Sequence, residues 1–221
     1  TGSNQVNTRL YFSYLQRTNL LEVPEVWGTP GASNSTLVVN SGPSVTGLRH
    51  APVVPEANQS VSVFAKVDDP DGVADVTLFY SVNGGTFRSG VMSERSAGIY
   101  SGTVPGQSAK SIVRFYLHTQ DNAGAISFYP PQGSESGAFY KVQDNLADSS
   151  GLRHNFRIIM ANNDRSFLFR NTNRMSNDRF PVTVIEDEQT VYYDIGLRLK
   201  ASGFGRYSSG HYGFNMEFQP D

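Results

Sequence analysis

Between residues 60 and 67 the sequence SVSVFAKV sets Val61, Val63, Ala65 and Val67 on one side and Ser60, Ser62, Phe64 and Lys66 on the other. That period of two is the pattern of a half-buried β-strand. The same signal recurs at short intervals. Val45–Arg49, Val76–Val82, Phe87–Met92, Ile99–Val104, Ile112–Gln120 and Ile126–Tyr129 each read as a strand. Turn chemistry separates them: the acidic Asp68–Gly72, the hairpin signal Asn83-Gly84-Gly85, and Asn122–Gly124. Short strands about ten residues apart predict a β-sandwich over 41–143, with Pro52 and Pro55 marking an edge or bend.

Residues 1–40 are expected to be the tail of a preceding unit. A strand at Thr8–Leu15 runs into a linker, Val26–Ser35, that carries the Pro30-Gly31 turn pair. A simple N-terminal arm is the alternative. The polar stretch 144–152, DNLADSSGL, is the expected joint between domains. Beyond it, over 153–221, the pattern becomes mixed. Asn155–Met160, Pro181–Ile185, Val191–Leu199 and Tyr212–Phe218 read as strands. Phe167, Leu168 and Met175 at helical spacing, after the capping run Asn162-Asn163-Asp164, predict a helix near 163–174. The expected fold class is mainly β: an immunoglobulin-like sandwich plus a smaller α+β segment.

Composition narrows the function classes. The 221 residues are 38% hydrophobic but only 17% charged, with net charge −2. Ser, Thr, Asn, Gln and Gly must then supply the polar surface, a look common among exported β-proteins. No basic footprint for nucleic acid is present, and no apolar run is long enough to span a bilayer. The absence of cysteine removes disulfides, thiolate chemistry and Cys-based zinc sites. The expected setting is extracellular or the cell envelope, with other domains of a parent protein or surface proteins as partners.

Two resemblances sharpen this reading. Residues 43–142 resemble the immunoglobulin-like modules of bacterial exported proteins. Pro52-Val-Val-Pro55, Asp68–Val73, the strand VTLFYSV, Gly98–Tyr100, Val104–Gly106 and Phe115–Asp121 before Gly124 carry the likeness. Residues 154–218 resemble the start of the CotH kinase family, through Phe156–Met160, Pro181–Val184 and above all Val191–Lys200 before Ala201-Ser-Gly203. Ala201 stands where that family has glycine, and His211-Tyr212-Gly213 where it has tandem lysines. The resemblance implies a parent protein that is a secreted atypical kinase. ATP with Mg2+ or Mn2+ would bind only if acidic ligands beyond Asp221 complete the domain, so these residues by themselves are not expected to be catalytic.

The candidate sites follow. Lys200, Gly203, Gly205 and Arg206 lie on a glycine-rich loop between two strands, where backbone N–H groups and two cations would close over a phosphate. A merely flexible loop is the alternative. Asp69, Asp71 and Asp121, with Asp68 beside them, lie on two inter-strand turns and are candidate Ca2+ ligands. Equally, such Asp residues hydrogen-bond their own turns. Glu186, Asp187 and Glu188 read as a solvated hairpin tip. The histidines His50, His118, His154 and His211 show no zinc-ligand spacing. An exposed aromatic platform would make the chain a carbohydrate-binding module. Of Trp27, Tyr11, Tyr14, Tyr192, Tyr193, Tyr207 and Tyr212, the pair to watch is Tyr207 and Tyr212, flanking the glycine loop.

Overall fold

The structure is a computed structural model, and it describes residues 40–147, 154–173, 176–200, 206 and 212–218. The strand expected at Thr8–Leu15 and the linker after it lie outside the described residues.

Two antiparallel sheets form the sandwich. One has the order β1 (Ser44–Ala51), β2 (Val61–Asp68), β6 (Ile99–Val104), β5 (Ser93–Ser96). The other has the order β4 (Arg88–Val91), β3 (Val73–Val82), β7 (Ile112–Asp121), β8 (Ile126–Tyr129), with β9 (Phe139–Lys141) also on β7. The alternation read at 60–67 holds: Val61, Val63, Ala65 and Val67 are all buried, and they meet Val76, Leu78, Val113, Phe115 and Leu117 in the core. Asn83 and Gly84, both at positive φ, turn β3 into β4. Strand β7 anchors three neighbours, because β8 pairs with its C-terminal half and β9 with its N-terminal half.

A third antiparallel sheet follows, ordered β10 (Phe156–Ile159), β11 (Phe180–Glu186), β12 (Thr190–Leu199), β13 (Phe214–Glu217). Its helix, α1, spans Asn162–Leu168 and is shorter than the sequence pattern predicts. Ala161 occupies the N-cap position without a side-chain cap, so Asn162 and Asn163 fall in the first turn instead. The helix stops at Phe169, and a 3-10 turn over Asn171–Asn173 replaces its continuation. Asn and Thr are poor helix formers, which favours that stop.

Within the third sheet, strand β11 is buried on both faces over Val182–Ile185. Val182 and Val184 of β11 join Leu168 of α1, Ile195, Leu197 and Leu199. The next residue, Ile185, packs with Ile159 and with Phe139 of the sandwich. Strand β9 therefore serves two cores: Tyr140 points into the sandwich, and Phe139 points out of it into the third sheet. Strand alternation makes this possible without any special backbone. A bulge on β12 completes the fit. The register shifts between Val182 and Val184, and the partner strand carries Asp194 at φ 53°. Before the bulge Tyr193 faces the sandwich core; after it Ile195, Leu197 and Leu199 face the helix side. The extra residue flips the phase of the strand.

Candidate functional site

Among the described residues, groups with chemistry gather in several regions. The first joins the third sheet to the sandwich. Thr183, fully buried, donates its hydroxyl to Gly137 O at 2.6 Å and accepts the Phe139 N–H at 2.7 Å. Asp194 accepts the Gly137 N–H at 2.9 Å. Burial pushes its carboxyl above the usual range, while the Gly137 N–H and the Arg114 charge work against that rise. Nearby, His50 hydrogen-bonds Tyr193 and places Nε2 at 2.9 Å from Val53 O. A carbonyl only accepts, so Nε2 carries the proton and Nδ1 accepts the Tyr193 hydroxyl. Burial lowers the His50 pKa from 6.5 to about 4, against the opposing pull of the Val53 carbonyl.

The second region is an ion cluster at the joint. Asp144 receives Lys141 Nζ at 2.5 Å and Arg157 Nη1 at 2.8 Å, and Arg157 also holds Glu188 at 2.8 Å. Burial tends to raise the Asp144 pKa, but hydrogen bonds from Lys141, Arg157 and the Leu146 backbone outweigh it and hold the carboxyl below its usual range. The polar joint expected from the sequence is thus tied across by Asp144 and Arg157. Beside it, Pro52, Val53, Val54, Gln143, Asn145 and Gln189 line an open cleft of about 740 Å3. At the turn between β11 and β12, His154 approaches Glu186 and Asp187.

The third region is the acidic turn pair. The structure brings Asp69, Asp71 and Asp121 together, with one carboxylate oxygen from each within 4.8 Å of the others. That spacing suits a hard cation taking oxygen ligands. The same side chains also do turn work. Asp69 Oδ1 accepts the Asp71 N–H at 2.8 Å, and Asp121 Oδ1 accepts the Ala125 N–H at 2.8 Å.

On the glycine loop, Gly203, Gly205 and Tyr207 lie outside the described residues, as do Tyr11, Tyr14 and Trp27. Lys200 is exposed, and its N–H bonds Gly213 O at 2.8 Å where the loop closes. Arg206 is buried, with Nη1 at 2.8 Å from Ser176 O. Tyr212 is exposed and meets the Phe169 ring edge-on.

The fourth region, which sequence reasoning missed, is the outer face of the five-stranded sheet. Cross-strand register places Phe79 opposite Tyr116, Thr77 opposite His118, and His118 opposite Phe128. Phe79 and Tyr116 stack at 5.0 Å, and Phe87 meets Tyr116 edge-on at 5.3 Å. His118 meets Phe128 edge-on at 5.3 Å. Phe128 is 46% exposed, Ile126 49% and Val91 75%. The signal was present in the alternation, since residues 77, 79, 116 and 118 all fall on the face opposite the core.

No protein-family model matches the sequence, and a search of curated proteins finds no match either. Among solved structures, the crystal structure of the Br derivative of BhCBM56 aligns with 13% identity over 48% of this chain and 96% of its own, at a TM-score of 0.30.

Proposed function

We propose that the chain is a structural and binding module of an exported, multidomain bacterial protein, and that it engages a neutral carbohydrate through the outer face of its five-stranded sheet. The observation that carries this reading is the outward-facing aromatic cluster of Phe79, Phe87, Tyr116, His118 and Phe128, in which Phe128 is exposed and the other four rings are half-buried. A core needs no such cluster on its solvent side, and contiguous exposed apolar groups mark contact surfaces. Polar groups share the face. Register puts Asp75 opposite Gln120 and Gln120 opposite Ile126, beside the Thr77 row. Sugars present C–H faces to rings and hydroxyl edges to amides and carboxylates, and this face offers both. The third sheet, locked on by Thr183 and Asp194, is its structural support.

The test is affinity electrophoresis through gels containing soluble neutral polysaccharides. At least one should retard the chain, and Phe128→Ala and Tyr116→Ala should abolish the retardation with the fold intact by circular dichroism. Retardation by none, or retardation unchanged in both variants, would overturn the carbohydrate reading.

The alternative, the front end of a CotH-like kinase, rests on the resemblance of 154–218. It requires Arg206 to serve a phosphate, whereas that guanidinium is engaged with Ser176 and Asn177.

A further inference from the structure

We propose that His154, Glu186 and Asp187 form a surface site for a divalent transition-metal ion of the Zn2+ type. His154 precedes β10, Glu186 ends β11, and Asp187 opens the tip of the β11–β12 hairpin. His154 Nδ1 lies 3.0 Å from Asp187 Oδ2 and 3.4 Å from Glu186 Oε1, and the three atoms lie within 4.8 Å of one another. Ligand atoms bound at about 2.0–2.2 Å to one tetrahedral ion stand roughly 3.3–3.6 Å apart, so the trio already approaches the edges of such a polyhedron.

The atoms that face away from the trio are held by other groups. Asp187 Oδ1 accepts the Asn155 N–H at 2.8 Å, and the Asp187 N–H donates to Asn155 O at 2.8 Å. Glu186 Oε2 accepts the Tyr192 hydroxyl at 3.2 Å. Such outer partners orient metal ligands before the ion arrives. A single Nδ1 proton can point at only one of the two carboxylates, whereas a divalent ion at the centre engages all three groups at once. The donor set decides the metal. Imidazole nitrogen with carboxylate oxygen suits Zn2+, Co2+ or Ni2+, while Ca2+ takes oxygen alone. The exposed His154 ring leaves the remaining coordination positions open to water. Bound metal would pin the start of β10 to the hairpin tip, beside the Arg157–Glu188 ion pair.

The test is calorimetric titration of Zn2+ into the untagged, chelator-treated chain at pH 7.5, with Co2+ absorption reporting the ligand field. The expected result is one ion per chain with micromolar affinity. His154→Ala and Asp187→Asn should each weaken binding by about tenfold or more. Because the His154 ring is exposed, His154→Ala should melt at the same temperature as the parent without metal. Nitrogen-15 NMR keeps the test open if a variant folds poorly: Ni2+ should broaden the Asn155 and Asp187 amides of the parent chain first. The absence of saturable binding up to about 1 mM, binding that His154→Ala leaves unchanged, or broadening centred elsewhere would each overturn the proposal.

Discussion

His50 on β1 and Tyr193 on β12, 143 residues apart in sequence, are joined by a hydrogen bond between Nδ1 and the phenol where the third sheet meets the sandwich. The ring sits against Phe115 and Tyr140 with almost no water. The folded chain therefore binds a proton at His50 only near pH 4, whereas the unfolded chain binds it near 6.5. Above about pH 6.5 the contribution of this ring is complete. As pH falls, the unfolded state is protonated first, and stability is lost down to about pH 4. The loss is about 2 kcal/mol by pH 5 and about 3 kcal/mol in full. Asp194, whose pKa is raised, acts with the opposite sign in its own range. Denaturant titrations at pH 7.5 and 5 should show the loss in the parent chain and a smaller one in His50→Asn.

Gly137 meets the third sheet at backbone distance. A Cβ there would lie 2.8 Å from Asp194 Oδ1, 2.9 Å from Asp194 Cα and 2.9 Å from Val182 N. Two of those atoms are backbone and cannot swing away. Gly137→Ala should cost about 1–3 kcal/mol, read as a fall in melting temperature. An unchanged melt would mean that the two sheets are less closely apposed than their hydrogen bonds require.

Tyr140 makes the opposite case. Its ring is fully buried, and its hydroxyl has no hydrogen-bond partner among the described residues. Removing an unsatisfied buried polar atom relieves a desolvation cost. Tyr140→Phe should be neutral or stabilising by up to about 1 kcal/mol in thermal unfolding. A clear destabilisation would show that the hydroxyl is satisfied in solution.

Arg157 bridges Asp144 and Glu188, so removing it leaves Asp144 with Lys141 as its remaining cation and takes the guanidinium from Glu188. Arg157→Leu should cost about 1–3 kcal/mol, and the Asp144→Asn, Arg157→Leu double variant less than the sum of the two. A double-mutant cycle by chemical denaturation measures the coupling. Protonating Asp144 has a related effect. Its folded pKa lies below the unfolded one, so its contribution is present above the ordinary carboxylate range and is lost as pH falls through the folded value.

The strands were legible in the sequence wherever one face met water and the other a core, as at Val61–Val67. The alternation fails where both faces are buried. Residues 181–185 read as a strand, as the structure has them, but with apolar Val182, Val184 and Ile185 falling on both sides no polar face marks which side meets water. The phase flip at Asp194 was likewise invisible, because a non-glycine residue at positive φ leaves no compositional mark. Among the candidate sites, the juxtaposition of Asp69, Asp71 and Asp121 followed from two neighbouring turns. His154 with Glu186 and Asp187 did not, since motif spacing cannot report ligands contributed by segments some 30 residues apart. The outer aromatic face could have been read by asking which large side chains the alternation left on the solvent side.

The two-sided placement of β9 changes what counts as a transferable piece of this chain. A gene segment ending in the polar joint would carry Phe139 without the Ile159 and Ile185 that cover it, and a segment starting there would carry Thr183 without the Gly137 carbonyl that receives its hydroxyl. Each fragment would expose a sticky seam. Shuffling between proteins would then be expected to preserve 41–218 as one cassette and to cut outside it.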